Sequence, residues 1–163
     1  MYDVVALGEL LIDFTTQATD PDGYPTMAAH PGGAPANFLA AIAKFGGKAA
    51  LLGKVGTDTF GKLLTDTLRK AGIETKGLVA SDEFFTTLAF VTLDENGDRE
   101  FAFARKPGAD TQLRSDELDL SIIDETRVFH FGTLSLTDEP ARSTTYRAVE
   151  YAKAHGKLIT FDP

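Results

Sequence analysis

The sequence contains no cysteine. That excludes disulfides, a thiolate nucleophile and Cys-ligated zinc. Histidine is scarce: His30, His130 and His155 lie far apart and lack metal-ligand spacing. No basic stretch precedes the opening MYDVVALGELLIDF, so it does not read as a secretory signal. No apolar run approaches the about 18 residues that a membrane span needs. Basic residues are outnumbered, 16 Lys and Arg against 24 Asp and Glu, for a net charge of −8. Nucleic acid and anionic membranes both call for a basic face, so neither is expected as a partner. A small anionic ligand stays admissible, because a few basic residues can converge locally. A cytoplasmic protein is the simplest expectation. Also missing are a P-loop, a Gly-x-Ser-x-Gly elbow and a Gly-x-Gly-x-x-Gly turn after the first strand.

What is present is globular: 163 residues, 43% hydrophobic and 25% charged. A chain of this length buries roughly 68–70% of its unfolded surface, enough for one domain with a real core. Val4–Leu7 is a short apolar run ended by Gly8, a buried strand. Thr15–Pro31 is rich in Thr, Asp, Pro and Gly and reads as loop and short edge-strand material. Ala36–Phe45 has helical spacing and is stopped by Gly46 and Gly47. Ala49–Val55 is a strand. Thr57 and Asp58 supply an N-cap to a helix whose Phe60, Leu64, Leu68 and Ala71 recur every three or four residues, with Arg69 and Lys70 in its last turn and Gly72 as its stop. Thr87–Leu93 and Arg99–Arg105 flank an Asn96-Gly97 turn and predict a hairpin. Ser115–Leu120 is a short helix candidate, and Val128–Phe131 a strand. Thr137 or Asp138 can cap a helix from near Pro140 to His155, and Leu158–Phe161 is a final strand. Alternating strands and helices predict an α/β fold with a mainly parallel sheet, the hairpin forming a separate sheet upon it.

Three polar features stand in unusual settings. Asp13 lies between Ile12 and Phe14 in an apolar run, either as a turn former or as a ligand contact. Gly32 and Gly33 precede Pro35, which suits the first positions of a helix, and place Asn37 in its first turn. That arrangement is a tight turn before a core helix or a polar ligand site at a helix N-terminus. On the second hairpin strand Arg99, Phe101, Phe103 and Arg105 share one face, either a half-covered sheet or the inner wall of a lid. Carboxylate, amide and guanidinium together suit a polyhydroxylated ligand, whose apolar face aromatic rings would cover.

The segments GELLIDF, GGAPANFLAAIAKFGGKAALLGKVGTDTFG, FAFARKPGAD and HFGTLSLTDEPARS, with the ending LITFDP, resemble bacterial fructokinases of the ribokinase-like, PfkB-type carbohydrate kinase family. The resemblance covers Val4 to Pro163. Gly32, Gly33, Pro35, Asn37, Gly46 and Gly56 fall at the spacing of the family's first signature, while Leu39 departs from its usual small residue. The resemblance implies a ribokinase-like fold: a mainly parallel central sheet with flanking helices, incomplete here, plus a small β-sheet lid built from about 15–31 and 86–106. It implies that Asp13 binds sugar hydroxyls from the end of the first strand, that Gly32 and Gly33 let the sugar approach the backbone, and that Asn37 adds a hydrogen bond. Phe101 and Phe103 would close over the sugar. Arg105 would contact it or its phosphate, and Asp162 would stand near the anion-contacting residues.

The same resemblance implies ATP-dependent phosphorylation of fructose, to fructose 6-phosphate, with Mg2+ and a monovalent cation such as K+ among the cofactors, and a homodimer formed through the lid. Kinases of this family are about twice as long, and their second half carries the catalytic Asp and the nucleotide pocket. Residues 1–163 therefore read as the N-terminal part of one kinase domain, with the C-terminal nucleotide-binding half absent. They hold the substrate-binding residues, no catalytic base and no metal site, and are expected to be inactive alone. The alternatives are a related kinase for ribose, 2-keto-3-deoxygluconate or a nucleoside, and a non-catalytic sugar-binding or dimerisation module.

Overall fold

The computed structural model describes residues 1–93 and 98–163. The expected Asn96-Gly97 turn lies outside the described residues. Five parallel strands form the central sheet: β1 (Tyr2–Leu7), β4 (Ala49–Gly56), β5 (Leu78–Ser81), β8 (Thr126–Gly132) and β9 (Leu158–Asp162), in the order β5-β4-β1-β8-β9. Successive side chains of a strand face opposite sides of the sheet, so β1 serves two cores. Val4 and Ala6 join Leu39, Leu51, Leu64 and Leu68 under the helices α1 (Ala34–Lys44) and α2 (Thr59–Lys70). Val5 and Leu7 join Leu52, Ile123, Phe129 and Ala148 under α3 (Ser121–Asp124) and α4 (Ala141–Ala154). A strand covered on both faces reads as an unbroken apolar run, which is why β1 and β4 were legible.

A second, mixed sheet rises from the ends of the first. Its strands are β2 (Leu11–Thr19), β3 (Pro25–Gly32), β6 (Leu88–Leu93) and β7 (Arg99–Ala104), in the order β3-β2-β6-β7. β2 pairs antiparallel with β3 and parallel with β6, and β6 pairs antiparallel with β7. Thr15–Pro31 is therefore not mainly loop. It is the outer part of a two-stranded arm whose tip turns on Asp20, whose Oδ1 accepts from Asp22 and Tyr24 N–H. Most of that arm is exposed, so backbone pairing rather than burial defines it, and no apolar alternation marks it.

Two helix expectations shift. No helix spans Ser115–Leu120. Glu117 turns inward to the buried Lys54, and Asp119 Oδ1 accepts from Ser121 N–H, which starts α3 later. Pro140, not Thr137 or Asp138, stands at the N-cap of α4; Glu139 Oε2 accepts from Ser143 N–H instead.

Asp58 caps α2 as the sequence implies, its Oδ1 accepting from Phe60 and Gly61 N–H. Its other oxygen accepts from the Thr86 N–H and hydroxyl at 2.8 and 2.9 Å. That ties α2 to the segment entering β6. Burial pushes the Asp58 carboxyl up, but the hydrogen bonds from Thr86, Gly61 and Phe60 outweigh it and hold the group below the usual range. Asp58→Ala removes a cap and leaves Thr86 without its partner. It should lower stability by about 2 kcal/mol, read as a lower urea midpoint at unchanged slope.

His130 is buried on β8, its Nδ1 2.9 Å from Thr160 Oγ1 of β9 and its ring 4.3 Å from that of Phe38 on α1. Burial holds its pKa below the ordinary value, with Asp162 opposing. The unfolded chain thus takes up this proton at higher pH than the folded one, so acidification costs stability. Unfolding midpoints should fall between about pH 7.5 and about pH 5.5, and His130→Gln should remove part of that slope.

Candidate functional site

The turn between β3 and α1 is built around Asp13. Asp13 lies on β2, directly across from His30 of β3. This corrects the expected placement, because the first strand ends at Leu7 and Asp13 belongs to the second sheet. A Cβ added at Gly32 would stand 2.0 Å from Asp13 Oδ2, so the carboxylate fills the space that glycine leaves. Gly33 adopts φ 111°, and a Cβ there would meet the Glu9 carbonyl at 2.4 Å. Gly33 requires glycine for its backbone conformation, and glycine at 32 leaves the room that the Asp13 carboxylate occupies. The Asp13 carboxylate is half-buried and accepts no hydrogen bond among the described residues. Burial pushes its pKa up, and the charge of His30 opposes the shift. It is a strong acceptor with vacant lone pairs.

Asn37 sits in the first turn of α1, where its N–H donates to the Gly33 carbonyl at 2.9 Å. Its side chain is exposed and unbonded among the described residues. With Gly32, Pro31, Leu10 and Ala36 it lines a cavity of about 120 Å³. Asp13 also faces an open groove of about 780 Å³, shared with Thr15, Val91 and Phe101.

The strand register brings the aromatic residues to this side. His30, Asp13, Ala89 and Phe103 form one cross-strand row, and Thr15, Val91 and Phe101 lie in the next. Phe101 and Phe103 stack with centroids 6.2 Å apart and are 54% and 44% exposed. The opposite face carries Phe14, which packs on Phe60 of α2 and on Phe90. The lid therefore buries one aromatic set against the core and leaves the other open beside Asp13.

Arg105 shares the alternation of Phe101 and Phe103, but its guanidinium is buried within the fold. Nε and Nη2 meet Asp110 Oδ2 at 2.8 and 2.7 Å, Nη1 donates to Thr137 Oγ1, and Nη2 donates to the Leu134 carbonyl. Thr87 donates to the other oxygen of Asp110. Arg105 thus fastens the end of β7 to the loop after β8. Asp162, the last residue of β9, is exposed. A Cβ at Gly132 would lie 3.8 Å from the Asp162 carbonyl and 4.0 Å from Pro35, which sets Asp162 near the start of α1.

The structure sets Asp13 against Gly32, with Gly33 next in the turn and Phe101 and Phe103 on the same face of the lid sheet. Asn37 lines a separate cavity with Gly32, Asp162 lies near the helix start, and Arg105 is drawn into the fold by Asp110. Sequence reasoning missed Glu9 and Asp110. Glu9 is a charged residue between Gly8 and a buried strand, a signal masked by reading Gly8 as the end of that stretch. Among the described residues no three His, Asp or Glu side chains cluster as metal ligands, and no helix is long and apolar enough to cross a membrane.

Residues 1–163 match the pfkB family carbohydrate kinase pattern. Fructokinase-1 of Zea mays is 45% identical over 162 residues, covering 98% of this chain and 50% of that protein. The chain spans about half the length of the curated relatives it matches. Among solved structures, the fructokinase of Xylella fastidiosa superposes with a TM-score of 0.93 at 34% identity, covering 99% of this chain and 50% of that one. The Xylella fructokinase with bound ATP superposes at 0.90 and 34% identity, covering 99% of this chain and 48% of that one. A match along every residue, joined to a parallel sheet and mixed lid sheet shared with these structures, makes this chain a member of the pfkB family of carbohydrate kinases.

Proposed function

We propose that the chain supplies the sugar-acceptor site and lid of an ATP-dependent fructose kinase that forms fructose 6-phosphate. The observation that carries this reading is the half-buried Asp13 carboxylate, unpartnered among the described residues and set over Gly32. A carboxylate accepts two hydroxyl donors, which suits adjacent hydroxyls of a sugar. Gly32 and Gly33 let the ring approach the backbone, Asn37 adds an amide, and Phe101 and Phe103 cover the apolar side. Asp162 completes the site near the start of α1, and Arg105, its guanidinium taken up by Asp110, Thr137 and the Leu134 carbonyl, holds the base of the lid. ATP, when bound, supplies the phosphoryl group, and such transfers rest on positioning and charge stabilisation. We place the nucleotide, Mg2+ and K+ outside these residues. The catalytic base and the nucleotide pocket belong to sequence outside this chain. Two copies pair through their lids, and the reaction takes place in the cytoplasm.

In the full-length protein Asp13→Asn keeps the shape and removes the charge. It should lower kcat/KM for fructose about 10- to 100-fold, the range expected for a hydrogen bond to a charged group. Wild-type rates with ribose and 2-keto-3-deoxygluconate in the same ADP-release assay should be far below that with fructose. A preference for either would replace fructose as the substrate. Residues 1–163 alone should show no fructose-dependent turnover, and robust turnover would move the base and nucleotide site into this chain.

A further inference from the structure

Helix α1 begins without a cap of its own. Its N-cap is Gly33, which has no side chain to offer and which Glu9 and the φ of 111° oblige to remain glycine. Pro35 lacks an N–H, so the first free donor is that of Ala34. Glu9, from the junction between β1 and β2, meets it: Oε1 accepts from Ala34 N–H at 2.8 Å. Glu9 is 2% exposed, and its Oε2 is the one fully buried side-chain oxygen or nitrogen without a partner among the described residues. The charged groups facing it are Asp110 and Arg105, which are paired with one another. Burial pushes the Glu9 carboxyl above its usual range, the hydrogen bonds of its own backbone and of Ala34 oppose this, and Asp110 and Arg105 act in opposite senses. A buried carboxyl with a vacant oxygen is costly to hold, and a leucine would fill the same space more cheaply. What leucine lacks is the acceptor.

We propose that Glu9 is a positioning residue for the sugar acceptor, capping α1 from outside so that Gly32, Gly33 and Asn37 are held in register with Asp13. The proposal rests on the reading of that turn as the sugar site. The cap acts on the turn and not on the phosphoryl donor, so its loss is felt in sugar affinity before it is felt in the transfer step.

Glu9→Gln keeps an acceptor at the same reach, and Glu9→Leu removes it. In the full-length protein Glu9→Leu should raise the KM for fructose about 10-fold or more, with kcat and the KM for ATP within about 2-fold of wild type. Glu9→Gln should restore the fructose KM to within about 3-fold. Should Glu9→Leu fail to fold, Glu9→Asp, one methylene too short for the Ala34 N–H, should show the same loss. Hydrogen exchange gives a readout independent of activity: the Ala34 amide should exchange at least about 10-fold faster in Glu9→Leu than in Glu9→Gln, with α2 and α4 unchanged. A wild-type fructose KM in Glu9→Leu, or an equal loss of kcat in Glu9→Leu and Glu9→Gln, overturns the proposal. If the wild-type protein phosphorylates no sugar, the functional reading fails. Equal Ala34 exchange in the two variants would then overturn the cap by itself, and the expected difference would retain it.

Discussion

Asp13 and Gly32 compete for one small volume. The carboxylate oxygen stands where a β-carbon at Gly32 would stand. With glycine there the carboxylate keeps that place, and Asp13 comes to face the turn from a neighbouring strand. The next glycine answers a second approach, because Gly33 passes the Glu9 carbonyl too closely for a side chain. A helix that begins on two glycines has no cap of its own, and Glu9 supplies one from the far side of the turn. The half-buried acceptor, the bare backbone and the borrowed cap meet in one turn, where Asp13 crowds Gly32 and Glu9 crowds Gly33.

The lid depends on the core through a few polar ties at the places where the chain crosses between the two sheets. Glu9 joins the path into β2 to the start of α1. Asp58 joins α2 to Thr86 on the path into β6. Asp110 and Arg105 join Thr87 to the end of β7 and to the loop after β8. Burial makes each of these bonds costly to lose, since a partner left behind in the core stays unsatisfied. Strand register, in turn, puts Phe101 and Phe103 on the same side of the mixed sheet as Asp13.

Much of the core was legible because local chemistry and tertiary burial agree there. Asp58, Leu64, Leu68 and Gly72 mark α2 at its start, its face and its end, and the apolar runs of β1 and β4 follow from coverage on both faces. The meeting of Asp13 and Gly32 had a signal in the sequence, a carboxylate in an apolar run and a glycine pair before a helix. The β2–β3 arm was hidden because its exposed strands carry no alternation. The helix expected at Ser115–Leu120 failed because a distant group, the buried Lys54, draws Glu117 away from it. Arg105 illustrates the limit of alternation: the pattern assigns a face, while the partners that turn a guanidinium inward come from residues 110, 134 and 137. Glu9 was missed because Gly8 reads as the end of its stretch, and its partner, Ala34, is distant in sequence.

The central claim is that Asp13 and the turn at Gly32, Gly33 and Asn37 form the acceptor site. A crystal structure of the full-length protein with fructose tests it most directly. The account predicts two sugar hydroxyls within about 2.5–3.2 Å of the Asp13 carboxylate, with the ring lying against Gly32 and Gly33 beneath Phe101 or Phe103. A fructose bound elsewhere, with Asp13 touching no part of it, would contradict the account.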